Sequence, residues 1–209
     1  MVLNKYREKV DSILTPSAKA LGRLGPDFLS LLSLACALLA ALLLILWRDP
    51  LALLAAFVFV LVNGFFDAID GQVARLSGKS SARGDLLDHV IDRYADFIIL
   101  AGISLSAFAD VRLGLLAVGS IMIVSYMGTQ SQALGLKRDY GGILGRAERI
   151  LLIMLFLFLQ FVSSEFFAGS IEIWSGFSLT LLDFLLLFFI IAANITTLQR
   201  FLRAWRSLS

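Results

Sequence analysis

The chain has 209 residues, of which 59% are hydrophobic and only 16% are charged. Because soluble domains of this length are closer to half apolar and a quarter charged, the composition excludes an ordinary water-soluble protein and indicates a membrane protein. The formal net charge of +2 argues against a nucleic-acid partner, and the single cysteine, Cys36, excludes a disulfide framework and a thiolate metal cluster.

The predicted elements begin with a short amphipathic segment. Residues 1–24 mix apolar side chains at helical spacing with charges, a pattern typical of a helix that lies on the membrane surface. Runs that approach the roughly 20 apolar residues of a membrane-crossing helix follow it. The predicted spans cover about residues 26–47, 51–75, 85–109, 113–136, 147–164 and 177–200. Since the connections are short, the sequence predicts a single all-α membrane domain over residues 1–209, with six transmembrane helices and one interfacial helix.

Lysine and arginine are distributed unevenly between the connections. Fifteen of the 18 lie in the N-terminal segment, in the connections after the second and fourth spans, and in the C-terminal segment. Arg48 and Arg112 lie on the opposite side, and Arg93 lies inside a span. By the positive-inside rule, this distribution predicts a multi-pass protein of the cell membrane with both termini in the cytoplasm.

Carboxylates are concentrated where the second span ends and the third begins. Six of the 16 acidic residues lie within thirty positions, namely Asp67, Asp70, Asp85, Asp88, Asp92 and Asp96. An isolated charge at membrane depth costs about 2.5–3.5 kcal/mol, so such residues are rare and usually functional. At ~100° per residue, the first two acids share one helix face and the last four share a face of the next helix. The short connection 76–84 therefore predicts that two acidic faces oppose each other near the cytoplasmic surface.

This acidic pattern predicts a metal site. All-oxygen ligands select hard cations, so Mg²⁺ or Mn²⁺ is expected rather than zinc. Several carboxylates can hold two ions about 3.5–4 Å apart, an arrangement that clamps a transferring phosphoryl group. Gly71 and Gly84 would let a nucleotide or diphosphate approach the backbone closely. Arg75 could bind a phosphate oxygen or extend to the lipid headgroups, and His89 is expected to hydrogen-bond around the site rather than to ligate.

Two classes of protein other than enzymes also place acidic residues in membrane helices or close to them. A cation transporter would favour acids near the middle of the membrane, an internal repeat and broken helices. The acids lie instead towards one side, and the sequence shows no repeat. A non-catalytic membrane scaffold would gain nothing to offset the free energy that placing six carboxylates at membrane depth costs. The sequence therefore favours an enzyme, with a transporter as the alternative from another class.

The acids belong to a longer pattern, Asp67-x-x-Asp70-Gly71-x-x-Ala74-Arg75, eight residues, Gly84-x-x-x-Asp88-x-x-x-Asp92. It matches every fixed position and gap of the CDP-alcohol phosphotransferase signature, and the chain resembles that family over most of its length. The resemblance implies an enzyme of phospholipid biosynthesis that transfers a lipid phosphate group from a CDP-linked donor to an alcohol and releases CMP. Six spans with cytoplasmic termini and an active site facing the cytoplasm also follow from it.

The resemblance further implies roles for individual residues. Two Mg²⁺ or Mn²⁺ ions would be held by Asp67, Asp70 and Asp88, with Asp92 close enough to touch a metal while acting as the general base. The residues that would surround the CDP-linked donor are Gly25, Pro26, Asp27, Phe28, Asp67, Asp70, Gly71, Ala74, Arg75, Ser81 and Gly84. Asp96 is expected near the site, with pairing to Arg93 or another base as the alternative, and Asp85 has no assigned role.

Other segments resemble the subgroup that makes phosphatidylinositol phosphate or its archaeal ether-lipid counterpart. They are Gly25-Pro26-Asp27-Phe28, Arg138-Asp139-Tyr140-Gly141-Gly142, Arg146-Ala147-Glu148-Arg149 and Gln199-Arg200. This resemblance implies that Arg149 and Arg200 bind a phosphate on the acceptor. It leaves open whether the donor is CDP-diacylglycerol or CDP-archaeol, and it implies a homodimer.

The chain departs from that subgroup after Ser125-Tyr126. The subgroup usually carries a Lys/Arg-x-Arg element there, whereas this chain has Met127-Gly128-Thr129-Gln130-Ser131-Gln132. Either the acceptor is not phosphorylated, or Lys137, Arg138 or Arg146 supplies the missing charge. Inositol 1-phosphate is the first expectation for the acceptor, followed by glycerol 3-phosphate and then an uncharged alcohol.

Overall fold

The computed structural model describes residues 7–78, 81–137, 139, 141–175 and 177–208. These residues form seven α-helices and one short antiparallel hairpin. The helices are α1 (Arg7–Leu21), α2 (Pro26–Leu46), α3 (Leu51–Leu76), α4 (Ala82–Ser104), α5 (Val111–Ala133), α6 (Arg146–Phe166) and α7 (Leu181–Leu208). The hairpin strands are β1 (Ile171–Trp174) and β2 (Phe177–Leu179), with Ile171 opposite Leu179.

Most of the helices have the composition of membrane spans. Among the described residues, α2, α3, α5, α6 and α7 are long and apolar enough to cross a membrane. The predicted multi-pass helical membrane protein is thereby confirmed. The α4 helix has 23 residues, which is also a sufficient length. It falls outside this group because its first half carries acids of the predicted site, whereas its second half is apolar and buried around Ile99, Leu100 and Ile103.

The boundaries of two predicted spans differ from the structure. The predicted sixth span begins at residue 177, but residues 177–179 form β2 and α7 begins at Leu181. The cause is a reciprocal cap, in which Thr180 N–H donates to Asp183 Oδ2 (2.9 Å) and Asp183 N–H donates to Thr180 Oγ1 (3.0 Å). The third span was expected over 85–109, whereas α4 begins at Ala82 after an N-cap at Ser81 and ends at Ser104.

The helices form one bundle in which α2 packs against both α3 and α4. The contact between α2 and α4 is close, since a Cβ at Gly102 would lie 2.5 Å from Ala41 Cα. Small residues allow such approach, and van der Waals packing of this kind is a main source of helix association in membranes. On the other side of the bundle α5 packs against α4 and α7, and α6 against α3 and α7. Side chains in the charged half of α4 also contact α3, α5 and α6.

The N-terminal helix α1 docks on the end of α3 that carries the acids. Ala18 is buried in a small apolar cluster with Leu29, Ile69 and Val73. Gln72 Nε2 donates to Thr15 Oγ1 at 2.9 Å across the same contact. The predicted amphipathic helix thus packs one face against the bundle beside the candidate site.

Candidate active site

The acids of α3 and α4 face each other, as their spacing predicts. Carboxylate oxygens of Asp67, Asp70 and Asp88 all lie within 4.8 Å of one another. A second group of the same compactness consists of Asp88, His89 and Asp92. Asp88 belongs to both groups, so the two sets of potential ligands are contiguous. Asp85 lies outside them on the exposed side of α4, where one of its carboxylate oxygens is 3.5 Å from His89 Nε2.

These residues fit a divalent cation. Three carboxylates that converge within 4.8 Å repel one another unless positive charge lies between them. Their oxygen atoms are the ligands that Mg²⁺ and Mn²⁺ prefer, and α3 and α4 supply them from two rigid helices. Asp67, Asp70, Asp88 and Asp92 are therefore the side chains that would hold the metal.

Asp70 is positioned by a residue that sequence reasoning missed. Ser30 Oγ lies 2.6 Å from Asp70 Oδ2 and 3.2 Å from the Pro26 carbonyl oxygen, both within hydrogen-bonding reach. Ser30 and Asp70 are both buried at the α2–α3 contact. The hydroxyl therefore links the start of α2, where the donor was predicted to bind, to the acidic group. The only sequence signal for this role is the position of Ser30 one helical turn after Pro26.

Arg146 lies between the acids and a neighbouring cavity. Its guanidinium donates to Asp67 Oδ2, and its Nη1 also lies 2.9 Å from Asp92 Oδ1. Its Nε is 3.7 Å from Asp96 Oδ1. The sequence placed Arg146 in an acceptor pocket, and the structure places it at the boundary between that pocket and the acids.

Asp96 is a buried counter-ion for arginines. Its Oδ2 accepts a hydrogen bond from Arg149 Nη2, and both side chains are almost fully buried. Arg93 Nη2 lies 3.7 Å from the same oxygen. This pairing corresponds to the alternative that the sequence left open for Asp96. Removing either member of such a pair leaves an uncompensated buried charge, which is strongly destabilising.

A cavity of about 130 Å³ lies directly beside Asp92. Its described lining is strongly basic and comprises His89, Asp92, Arg93, Val124, Ser125, Gly128, Asp139, Leu144, Gly145, Arg146, Arg149 and Arg200. The structure thus brings the predicted Arg146, Arg149 and Arg200 together around one space. Lys137 is exposed and is not among the described lining residues, and Arg138 lies outside the described residues.

The cavity wall from α7 is held by backbone contacts. Arg200 Nη1 donates to the Val124 carbonyl (2.8 Å), and its Nε donates to the Gly141 carbonyl (3.0 Å). The loop that contains Gly141 lies against α7, where a Cβ at Gly142 (φ +134°) would be 2.3 Å from Thr196 Cγ2. The loop can follow this path because both the space and the backbone angle require glycine.

Asp139 fixes the same loop electrostatically. Its Oδ1 accepts from Gly141 N–H, and its Oδ2 accepts from Arg203 Nε, each at 2.7 Å. Burial on its own raises the pKa of the Asp139 carboxyl, but these two hydrogen bonds outweigh it, so the pKa lies below its usual range. Asp139 is therefore ionised and forms an ion pair with Arg203 at the edge of the basic cavity.

The other predicted donor residues lie at the ends of α2, α3 and α4, and they are not among the described residues that line the basic cavity. A Cβ built at Gly71 would meet the Arg75 guanidinium at 3.7 Å, so Arg75 folds back over the open face of α3. Ser81 Oγ accepts from Gly84 N–H (3.1 Å), which makes Ser81 the N-cap of α4. Ala74 is partly buried on α3. Gly25 and Pro26 form the start of α2, with the exposed Asp27 and Phe28 in its first turn.

Comparison with known proteins gives a consistent result. The family model for CDP-alcohol phosphatidyltransferase matches residues 23–182. The chain is 36% identical over 155 residues to archaetidylinositol phosphate synthase of Methanothermobacter thermautotrophicus, an alignment that covers 73% of this chain and 75% of that protein. It is 30% identical over 161 residues to phosphatidylinositol phosphate synthase of Mycobacteroides abscessus, covering 71% and 69% of the two chains.

Solved structures from Mycobacterium tuberculosis share the fold. Its phosphatidylinositol phosphate synthase with CDP-DAG bound superimposes with a TM-score of 0.73 at 27% identity, covering 93% of this chain and 94% of that one. The same enzyme in complex with manganese and citrate also gives a TM-score of 0.73, with 91% and 88% covered. The signature on α3 and α4, the converging acids and these matches lead to one conclusion: the chain is a membrane enzyme of the CDP-alcohol phosphatidyltransferase family.

Proposed function

We propose that this enzyme transfers the lipid phosphate group of a CDP-linked lipid to a hydroxyl of inositol 1-phosphate and releases CMP. One observation carries this proposal. Asp92 belongs to the acidic group with Asp88 and His89, and it also lines the cavity that Arg149 and Arg200 enclose. The reacting groups of a nucleotide-linked donor and an anionic acceptor would therefore meet at a single carboxylate.

Asp92 is the residue proposed to move the proton. Its carboxylate takes the proton of the acceptor hydroxyl, and the oxygen attacks the phosphorus that carries the lipid. The bond between that phosphorus and the bridging oxygen breaks, and CMP leaves with the bond's electron pair. Two Mg²⁺ or Mn²⁺ ions held by Asp67, Asp70, Asp88 and Asp92 would neutralise the diphosphate when bound.

The arginines are proposed to orient the acceptor. A phosphate monoester is close to a dianion at neutral pH, and guanidinium groups bind it with paired hydrogen bonds. Arg149 approaches the cavity from α6 and Arg200 from α7, so an anion between them would be held beside Asp92. The names of the similar archaeal and mycobacterial synthases support inositol phosphate as this anion. Glycerol 3-phosphate, which carries the same charged group, is the second candidate.

The donor is proposed to bind along Gly71, Arg75 and the start of α2. Its nucleotide would lie on the side of the acids opposite the basic cavity, with its lipid tails in the bilayer. The mycobacterial enzyme that superimposes on this chain has CDP-DAG bound, which supports a diacyl donor. The similarity to archaetidylinositol phosphate synthases supports CDP-archaeol equally, so both lipids belong in the assay.

A CMP-release assay in detergent with Mg²⁺ tests this proposal. It offers inositol 1-phosphate, glycerol 3-phosphate, inositol and serine, each with CDP-diacylglycerol and with CDP-archaeol. Release of CMP with inositol 1-phosphate well above the other three supports the proposal. Turnover only with inositol or serine would contradict a phosphorylated acceptor and would leave the basic cavity without this role.

We also propose that α4 crosses the membrane in addition to α2, α3, α5, α6 and α7, which gives six spans and places both termini and the acids at the cytoplasmic face. Asp88 and Asp92 are compatible with this because they face α3 and the basic cavity rather than lipid. Labelling of cysteines introduced at Arg83 and Arg112 by a membrane-impermeant reagent tests it, with Cys36 replaced by serine. Labelling of both positions from the same side would contradict an additional crossing. A homodimer remains a prediction that mass measurement in detergent can check.

A further inference from the structure

The basic charge of the cavity does not come equally from all of its walls. The α5 wall is neutral and consists of Val124, Ser125 and Gly128. The arginines come from α4, α6 and α7. An anion in the cavity would therefore contact guanidinium groups on three sides and a serine-bearing helix on the fourth.

The arginines of α6 already have acidic partners. Arg149 donates to the buried Asp96, and Arg146 donates to Asp67. Their charges are balanced at short range, so an incoming anion competes with carboxylates for them.

Arg93 differs from these two arginines in its hydrogen bonds, although it too lies near carboxylates. Its Nη1 donates to the neutral Ser125 hydroxyl. Its Nη2 forms ion pairs with one oxygen of Asp92 and one oxygen of Asp96, each at 3.7 Å, a separation too long for a hydrogen bond. Its Nε is buried and has no hydrogen-bond partner among the described residues. A guanidinium whose donors are incompletely used, at the wall of a basic cavity, is suited to a multiply charged oxyanion.

Ser125 determines where this guanidinium lies. The Ser125 hydroxyl donates to the Ile121 carbonyl at 3.2 Å, within its own helix, so its oxygen lone pairs are available to Arg93. The side chain of α4 is thereby tied to the neutral wall of α5. The contact holds the charge on the cavity side of α4, one residue after Asp92.

We propose that Arg93 is a specificity-determining residue that binds the phosphate of the acceptor, with Ser125 as its positioning residue. This inference rests on the proposed function, since it assigns the recognition of a phosphorylated acceptor to a particular pair of side chains. Arg93 follows Asp92 directly, so a phosphate bound to it brings the neighbouring hydroxyl of the acceptor towards the carboxylate that takes its proton. Arg93 then selects phosphorylated acceptors over their unphosphorylated counterparts.

The experiment compares four variants with the wild-type enzyme in detergent. Arg93→Gln removes the charge, Arg93→Lys keeps it, and Ser125→Ala removes only the positioning contact. Arg83→Gln is the matched control, because Arg83 is an exposed arginine on the same helix. For each protein we would measure KM for inositol 1-phosphate, KM for the CDP-linked donor, and the rate with inositol relative to inositol 1-phosphate. Calorimetric binding of inositol 1-phosphate gives a readout that does not depend on turnover.

The expected result is a selective loss. Arg93→Gln raises KM and Kd for inositol 1-phosphate by about tenfold or more, the size of one charge-assisted hydrogen bond, while the donor KM stays within about twofold. Arg93→Lys restores part of this loss, Ser125→Ala produces a smaller rise, and Arg83→Gln behaves as wild type. Should Arg93→Gln fail to fold, Arg93→Lys and Ser125→Ala still report on the pair through the same two constants.

Three results would overturn the inference, and each has a different meaning. If the wild-type enzyme uses inositol 1-phosphate but neither the Arg93 variants nor Ser125→Ala change its KM or Kd, the inference fails and the proposed function stands. If the wild-type enzyme turns over only unphosphorylated alcohols, the proposed function fails and the inference fails with it. An equal loss of donor and acceptor affinity in Arg93→Gln would indicate a general structural role and would also contradict the inference.

Discussion

Ser30 Oγ lies 2.6 Å from Asp70 Oδ2, across the contact between α2 and α3. The carboxylate is buried, so this contact provides one of the few polar interactions that help to orient it. Asp70, a proposed metal ligand, is thereby oriented by a residue outside the acidic signature. Such hydrogen-bonded partners of metal ligands commonly change metal affinity when they are removed.

We therefore predict that Ser30→Ala weakens divalent-metal binding without abolishing it. The expected change is about a tenfold rise in the Mn²⁺ concentration for half-saturation, since a second-sphere hydrogen bond to a ligand is lost. Titration followed by electron paramagnetic resonance measures it. Ser33→Ala, one turn further along α2, is the control because Ser33 contacts Asn63 rather than an acid. Equal affinities of the Ser30 variant and wild type would rule out the positioning role.

Asp92→Asn should abolish turnover while donor binding largely survives. The amide cannot take the hydroxyl proton, whereas Asp67, Asp70 and Asp88 still converge at the metal site. CMP release measures the first effect, and Mg²⁺-dependent binding of the CDP-linked donor measures the second. Residual turnover together with lost donor binding would show that Asp92 acts mainly as a ligand. Chelation of the metal from the wild-type enzyme should abolish both CMP release and binding of the CDP-linked donor.

Arg200→Ala should raise the acceptor KM far more than the donor KM. Arg200 is held by the Val124 and Gly141 carbonyls and lines the cavity beside Asp92. Loss of its charge is expected to raise KM for a phosphorylated acceptor by about tenfold or more. Arg206→Ala, further along the exposed end of α7, is the control and should leave both constants unchanged. An unaltered acceptor KM in the Arg200 variant would count against the cavity as the acceptor site.

Gly142→Ala should destabilise the loop that covers the cavity. The added Cβ would lie 2.3 Å from Thr196 Cγ2 at a backbone φ of +134°. Strain and overpacking together should lower the free energy of unfolding by about 2 kcal/mol or more. Thermal unfolding in detergent measures it as a lower Tm. Gly119→Ala is the matched control, because a Cβ there meets nothing within 4 Å and alanine favours helix; the two variants should not have the same Tm.

The ion pair between Asp139 and Arg203 should make stability depend on pH. The pKa of Asp139 is depressed in the folded protein, so its contribution is fully present above the unfolded pKa of about 4 and is lost as pH falls through the folded pKa. The Tm of wild type should exceed that of Asp139→Asn at pH 6, and the difference should shrink below about pH 4. A difference that grows towards acidic pH would contradict the depressed pKa.

The sequence predicted the parts of the fold that depend on composition and period. Long apolar runs predicted spans that the structure forms as α2, α3, α5, α6 and α7, because an α-helix satisfies its own backbone hydrogen bonds in lipid. The hairpin formed by β1 and β2 was missed. Its strands are only four and three residues long, and β2 (Phe177–Leu179) was included in the span predicted over 177–200 because it directly precedes the apolar run of α7.

The candidate site was predictable where helical spacing determines it. The helical repeat of 3.6 residues places Asp67 and Asp70 on one face of α3, and these acids converge with Asp88 on α4. The partners of these acids were not predictable, because they come from distant parts of the chain. Ser30 reaches Asp70 from α2, and Arg146 reaches Asp67 from α6, contacts that depend on how the helices pack in three dimensions.

The close approach of Gly102 to Ala41 has a consequence for the whole active centre. Asp92 lies on the same rigid rod as Gly102, ten residues or ~15 Å away along the axis. A small tilt of α4 at the Gly102–Ala41 contact would therefore move the Asp92 carboxylate away from Asp67 and Asp70 on α3. The placement of Asp92 opposite the acids of α3 therefore depends in part on apolar packing between α2 and α4, at a distance from the site itself.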